Sequence, residues 1–283
     1  MENTNKKHPI RRFFGSFKSF HFSRKHYAIP YIILLCLLVI FPLGMMIFNS
    51  FVDQLSGGFT LDNYLRFFTS VGNLLIMLRS LYTAAIVTIV CLLLAYPTAY
   101  ILSNPKFNRS TTIIFVFALP MWVNILLRTI ALSNLFGLIG LRPGYFAVVV
   151  GLIYDFFPFM LLPLYTALSN IDRSYTEAGA DLGANPVRNF LRVTLPLSVP
   201  GIMSGGILIF MSTVSNFAIS DLLGNDGTRM FGNIINNLFV NVHTENIGAA
   251  FATILLALIC VSMVLTSRAT RKRGVKTAGG GRL

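Results

Sequence analysis

Charge is scarce in this chain: Asp, Glu, Lys and Arg make up 12% of its 283 residues, against 54% hydrophobic residues and a mean hydropathy of +0.69. Apolar residues far exceed what one soluble core can bury, which excludes an ordinary soluble domain. Cysteine is nearly absent. Cys36, Cys91 and Cys260 fall in apolar stretches with no CxxC pattern or paired histidine, so neither a disulfide framework nor a metal site is indicated. The four histidines, at positions 8, 21, 26 and 243, lie in tails and an outer loop. No GxxxxGK[ST], GxSxG or HExxH occurs, which leaves no P-loop, no hydrolase elbow and no zinc-protease helix. Strict polar/apolar alternation is missing, and with it the outer-membrane barrel. The first 26 residues lack the apolar core and cleavage site of a secretory signal. No polar linker divides the chain into two domains, and neither half repeats the other.

What is present is a set of six apolar stretches of about 20 residues or more, the length that crosses a bilayer as helix. They lie near 28–51, 79–103, 111–136, 145–168, 200–222 and 246–267. The expected fold is an all-α membrane protein with six transmembrane helices. Eighteen of the 23 Lys and Arg residues fall in the N-terminal tail, the 104–110 loop, the 169–199 segment and the C-terminal tail. Basic residues collect on the cytoplasmic side, so both termini are expected there. The formal charge of +13 is explained by topology and anionic lipid, without nucleic acid. Three regions follow: a basic segment at 1–27, a membrane domain at 28–267 and a basic tail at 268–283. Ile10, Phe13, Phe17 and Phe20 fit an amphipathic surface helix, and a disordered basic tail fits as well. On the outer side, 60–68 reads as a short helix capped at Thr60. Asn225 to Thr228 reads as a turn before a second helical stretch.

The most carefully punctuated segment lies outside the membrane, at 174–196. "SYTE" (Ser174 to Glu177) has the form of a capping box, and Gly183 suits a left-handed helix end. Asn185 followed by Pro186 starts a second helix, which Pro196 and Pro200 are expected to end. Glu177 and Asp181 share one face, beside Ala178, Gly179, Ala180 and Ala184, which carry almost no bulk. Val187, Phe190 and Leu191 form an apolar stripe, with Arg188 and Arg192 as a basic edge. A docking knob and an ordinary cytoplasmic connection both fit these features.

The spacing resembles the EAA loop of ABC-importer permeases, whose pattern is E-A-A, three residues, G, nine residues, I-x-L-P. Here it reads Glu177-Ala178-Gly179, three residues, Gly183, nine residues, Val193-Thr194-Leu195-Pro196. Gly replaces the second Ala and Val the Ile. "LDNYLRFF" (61–68), "ALPMWVNILLRTIAL" (118–132), "GLIYDFFPFMLLPLYTAL" (151–168) and "ISDLLG" (219–224) are similar to the spermidine/putrescine permeases, specifically the first of their two permease subunits. The resemblance implies a type I importer fold in which Glu177, Ala178, Gly179, Asp181, Gly183, Leu195 and Pro196 form the coupling contact with an ATP-binding subunit. It also implies a second permease, a different chain, a pair of ATP-binding subunits that hold ATP and Mg, and an extracytoplasmic solute-binding protein. This chain itself is expected to bind no cofactor and to perform no catalysis.

Six residues are candidates for the solute pathway: Trp122, Asn124, Tyr154, Asp155, Phe217 and Asp221. Aromatic faces attract organic ammonium groups, and carboxylates meet cations. Asp155 sits mid-span, where an ionised carboxylate is costly unless paired or hydrated. Arg128 lies at a similar depth, so an internal ion pair and a cation-facing residue are both open. Asp155 also departs from the apolar residue expected there in the polyamine permeases. Asp221 is read either as an outer-mouth contact or as a solvated helix-end carboxylate. The expected function is a permease subunit of an ATP-driven importer, for polyamines. The rivals are another small solute (phosphate, sulfate, a phosphonate or iron) and a secondary transporter working alone.

Overall fold

The computed structural model describes residues 28–54, 56–104 and 112–278. The stretch from Ile10 to Phe20 and the loop carrying Lys106 and Arg109 lie outside the described residues. The chain divides into two units, residues 1–48 and 49–283. In the first, α1 (Ala28–Leu35) leads through a π-helical turn, Cys36–Ile40, into α2 (Phe41–Ser50). The second unit holds α3 (Asp62–Thr69), α4 (Val71–Ser103), α5 (Thr112–Ala118), α6 (Ile125–Leu138), α7 (Tyr145–Ser169), α8 (Arg173–Asp181), α9 (Pro186–Asn189), α10 (Leu195–Val214), α11 (Ala218–Leu223), α12 (Phe231–Val240) and α13 (Glu245–Ala278). Among the described residues there is no strand, only an isolated bridge between Val52 and Phe59. Lipid offers the backbone no hydrogen bonds, so the apolar segments must satisfy their own as helix. Among the described residues five helices are long and apolar enough to span, and the bent α5–α6 pair makes a sixth if its two arms count as one span.

That bend corrects the straight third span expected at 111–136. Between Thr112–Trp122 and Ile125–Leu138 the axis turns by 92°. Pro120, in the 3-10 turn Leu119–Trp122, lacks an N–H for the helix ladder. Asn124 then restarts the helix, its Oδ1 accepting from Leu126 N–H at 2.8 Å.

The fifth span is corrected too. Pro196 and Pro200 do not end the helix begun at Pro186. It runs without interruption from Pro186 to Val214, through α9, a π-helical turn at Phe190–Thr194 and α10. Asp221 therefore lies beyond this span, on the separate α11. The turn explains the continuity. A proline clashes with the carbonyl four residues back, and the wider π turn opens the spiral at that place. Leu195 N–H bonds to Phe190 O, and Phe41 N–H bonds to Cys36 O in the same way one residue before Pro42.

Smaller differences concern helix ends. α3 starts at Asp62, with the Thr60 hydroxyl accepting from Asp62 N–H at 3.1 Å, so the capping oxygen lies one residue before the N-cap position. α4 begins at Val71 rather than near 79, behind Ser70. α13 continues to Ala278 through a stretch rich in good helix formers. The turn at Asp226–Thr228 and the helix after it lie where the sequence puts them.

α7 packs against both α4 and α10. On α4, Ala84, Val87, Cys91, Ala95 and Ala99 are fully buried and recur every three or four residues, which makes one narrow face. Leu152, Met160, Leu161 and Leu164 of α7 are fully buried as well. α10 approaches α7 through glycines. A Cβ on Gly201 would sit 2.5 Å from Ala167 Cβ and 2.8 Å from Pro163 O, and one on Gly205 would sit 2.7 Å from Met160 Sδ. The Tyr96 hydroxyl meets Ser198 Oγ at 2.9 Å and ties α4 to α10. A second cluster holds the outer helices: Phe67 of α3, Phe231 of α12 and Phe251 of α13 have ring centroids 5.6, 5.1 and 6.0 Å apart.

Gly201→Ala is expected to overpack the α7–α10 contact at a cost of about 1–3 kcal/mol. Melting of the purified protein in detergent reads this loss. Gly206→Ala, whose added Cβ meets only Thr88 Cγ2 at 3.8 Å, is expected to melt like the parent. Equal melting of both variants would mean that the backbone approach at Gly201 is not tight in solution.

Candidate functional site

α8 is capped by Asp172, which corrects the box expected from Ser174: Asp172 Oδ1 accepts from Ser174 N–H at 2.9 Å. A carboxylate at a helix N-terminus also meets the positive end of the macrodipole, which a serine cannot match. These hydrogen bonds from Ser174, the backbone one foremost, hold the Asp172 carboxyl below its ordinary range. The stabilisation this cap supplies is therefore complete above the ordinary carboxylate pKa and is lost as pH falls through the lowered value.

The end of α8 follows the sequence closely. Gly183 has φ +77°, Gly183 N–H bonds to Ala180 O at 2.9 Å, and Ala184 N–H bonds to Gly179 O at 3.1 Å. This is the paired ending in which a left-handed glycine lets the next two amides fold back. Asn185 Oδ1 then accepts from Arg188 N–H at 2.8 Å and starts α9 with Pro186. Two short helices thus stand at an abrupt turn. Glu177, Ala178, Asp181 and Gly183 are exposed, Gly179 is half-buried, and Leu182 at the tip is 90% exposed. Leu195 and Pro196 stand apart from them, in the first turn of α10.

The apolar stripe on α9 is divided in use. Phe190 alone docks, edge-on to Tyr96 at 5.7 Å and Tyr100 at 5.6 Å, while Val187 and Leu191 stay exposed. A groove of about 570 Å³ separates α8 from the ends of α4 and α7, with Glu177, Thr176 and Asp172 on one wall and Tyr100 and Ser103 on another.

Inside the membrane region the structure brings Arg128 and Asp155 together. Arg128 Nη2 lies 3.0 Å from Asp155 Oδ1, and the residues are 9% and 1% exposed. Thr129 Oγ1 donates to Asp155 Oδ2 at 3.2 Å. The guanidinium meets the carboxylate without hydrogen-bond alignment, and its Nε and Nη1 are buried with no hydrogen-bond partner among the described residues. The Tyr154 ring centroid lies 6.0 Å from Arg128 Cζ. Of the two readings of Asp155, the geometry is that of the internal ion pair.

The other pathway candidates are dispersed. Trp122, 88% exposed, stands at the bend before α6, and Asn124 uses its side chain as the α6 cap. Phe217 and Asp221 flank the start of α11 and remain exposed. None of the six lines the cavity of about 410 Å³ among α4, α7, α10 and α13, whose walls include Leu92, Met160, Met203 and Phe210.

Sequence reasoning missed Asn233. It is 1% exposed, and its Oδ1 accepts from Met230 N–H at 2.8 Å and Ser220 Oγ at 2.6 Å. Its Nδ2 donates to Phe217 O at 3.0 Å and to Asp221 Oδ1. Every polar atom of the amide is used, so Asn233 fixes both Phe217 and Asp221. The available signal was the Gly232-Asn233 pair at the opening of an apolar helix. A Cβ on Gly232 would sit 2.6 Å from Ser215 O.

Residues 58–273 match the family model described as the binding-protein-dependent transport system inner membrane component. The chain belongs to this family. It is an ABC importer permease subunit, a multi-pass inner-membrane component of a binding-protein-dependent system. Among curated relatives, the spermidine/putrescine transport system permease protein PotB of Escherichia coli (strain K12) is 31% identical over 259 residues, covering 84% of this chain and 94% of that one. PotB of Haemophilus influenzae is 32% identical over 248 residues, covering 78% and 86%. Two solved permease folds are similar at low identity. An inward-facing MetNI methionine ABC transporter matches with TM-score 0.60 at 16% identity, covering 72% of this chain and 99% of that chain. A bacterial ABC transporter that imports alginate matches with TM-score 0.63 at 17% identity, covering 87% and 94%. The permease fold read from the EAA spacing is therefore shown.

Asp155→Ala would leave the Arg128 charge of this permease buried and unpaired, a loss of about 3–5 kcal/mol. The double variant Arg128→Met with Asp155→Leu is expected to recover most of that stability. Thermal melting of both in detergent checks this, and a double variant as unstable as the single would show that the unpaired charge is not the cause.

Proposed function

We propose that this permease subunit forms half of an import pathway for polyamines such as spermidine and putrescine. The observation that carries the reading is the similarity to two relatives named as spermidine/putrescine permeases, which match 78–84% of the chain at 31–32% identity. Side-chain chemistry supports it. Asp221 is an exposed carboxylate held in place by Asn233, with the Phe217 ring on the same connection. Such a pairing suits an organic dication. Asp155 contributes little net charge to a pathway, because Arg128 neutralises it.

In this reading the second permease, a different chain, completes the pathway, and an extracytoplasmic binding protein delivers the solute. The work comes from ATP hydrolysis, with Mg, on two partner subunits, and this chain contributes neither cofactor nor catalysis. The α8–α9 knob, with Glu177, Ala178, Asp181 and Gly183 exposed and Gly179 half-buried beside them, docks in a cleft of the ATP-binding subunit. Displacement of the knob passes into α9. Because α9 continues into α10 as a single helix, the movement arrives where Gly201 and Gly205 press on α7.

The test is uptake of labelled spermidine and putrescine by cells with and without this chain, with labelled phosphate as control. Loss of polyamine uptake alone is expected, restored by the intact chain and not by Glu177→Arg. Unchanged polyamine uptake, in cells with no redundant importer, would remove the solute assignment and leave the family membership standing.

A further inference from the structure

We propose that Asn189 is the brace that sets the angle of the coupling helix, and that position 179 is glycine because the Asn189 side chain occupies the space its Cβ would need. The inference rests on the coupling reading of α8 and does not depend on the solute. Asn189 closes α9, and its Nδ2 donates to the Thr176 carbonyl of α8 at 2.6 Å. Thr176 and Gly179 are three apart, hence on one face of α8. Over that face the Asn189 amide lies flat. A Cβ on Gly179 would stand 2.6 Å from Asn189 Oδ1, 3.1 Å from Cγ and 3.3 Å from Nδ2.

The next residue supplies the other half of the grip. Phe190 is wedged edge-on against Tyr96 and Tyr100 of α4. Two consecutive side chains therefore hold opposite neighbours: Asn189 holds α8, and Phe190 holds the membrane helix. The main packing of α8 within its unit is against α9 and the π turn. Alanine at 179 would not unfold the loop, because the Asn189 amide can swing away. In doing so it would give up the Thr176 carbonyl, and α8 would no longer follow α9 as one body.

The measurement uses the assembled complex, with both permeases and the ATP-binding subunits in nanodiscs. It reads ATP hydrolysis together with the fraction of ATP-binding subunit retained on gel filtration. Gly179→Ala and Asn189→Ala are each expected to lower hydrolysis about fivefold, the factor that one net hydrogen bond is worth, with retention and melting temperature unchanged. The double variant is expected to be no worse than either single, since both remove the same brace. Full activity in Asn189→Ala, or losses that multiply in the double variant, would overturn the proposal. Gly183→Asp, which puts a side chain at φ +77°, separates the two levels. If it too leaves hydrolysis unchanged, the coupling role of the loop has failed. If it alone lowers hydrolysis, only the brace has.

Discussion

Where Gly201 faces the Pro163 carbonyl, two membrane helices meet with almost no side chain between them. Water cannot drive such contacts inside a bilayer, because lipid tails are as apolar as leucine. Close approach and good packing must supply the attraction instead. Gly201 and Gly205 permit it on α10, and the alanine-rich face of α4 closes on α7 from another side. Once α7 is held by both, the α8–α9 knob and the α5–α6 pair are placed by their links to these three helices. α8 hangs from the end of α7, the knob is anchored on α4 through Phe190, and the bent span is pinned to α7 through Arg128.

A local distortion explains why the helix leaving the α8–α9 knob does not break. Proline at 196 and again at 200 would end a helix in water, where freed carbonyls find solvent. Here the helix distorts instead of ending, because a wider turn takes up the clash of Pro196 with the Arg192 carbonyl. The π turn at Phe190–Thr194 is that distortion, and it sits between the docking residue Phe190 and the proline. The outcome is a single helix from Pro186 to Val214 that joins the α8–α9 knob to the α7–α10 contact.

What the sequence revealed and what it hid divide along the range of the forces. The end of α8 and the start of α9 were legible because Gly183, Asn185 and Pro186 act on their own backbone and its nearest neighbours. Most of the spans were legible because apolar length alone decides them. The break at Val123 was written locally too, in Pro120 and Asn124, but counting apolar residues across it read a continuous span. The cap at Asp172 was displaced to Ser174 because a serine with Glu three residues on matches a familiar pattern, and the stronger carboxylate lay two residues earlier. Asn189 was not legible, and for Asn233 only its place beside Gly232 at a helix opening was. Each acts on residues 10 or more positions away in the chain, and nothing in a run of neighbours announces a tertiary hydrogen bond.

The buried charges connect these levels. Arg128 stands in the first turns of α6, just beyond the bend, and Asp155 stands near the middle of α7. A lone carboxylate or guanidinium in lipid is expensive, so each residue confines the other. Attraction at 3.0 Å also resists separation of the two helices, because pulling them apart would expose both charges to an apolar medium. α7 is therefore gripped at one place by the α5–α6 pair and at another by α10, which follows the α8–α9 knob. Any displacement of α10 large enough to shift α7 must also be felt at the bend, where Trp122 is exposed and Asn124 begins the next helix. The chain thus holds a continuous set of contacts from Gly179 to Trp122.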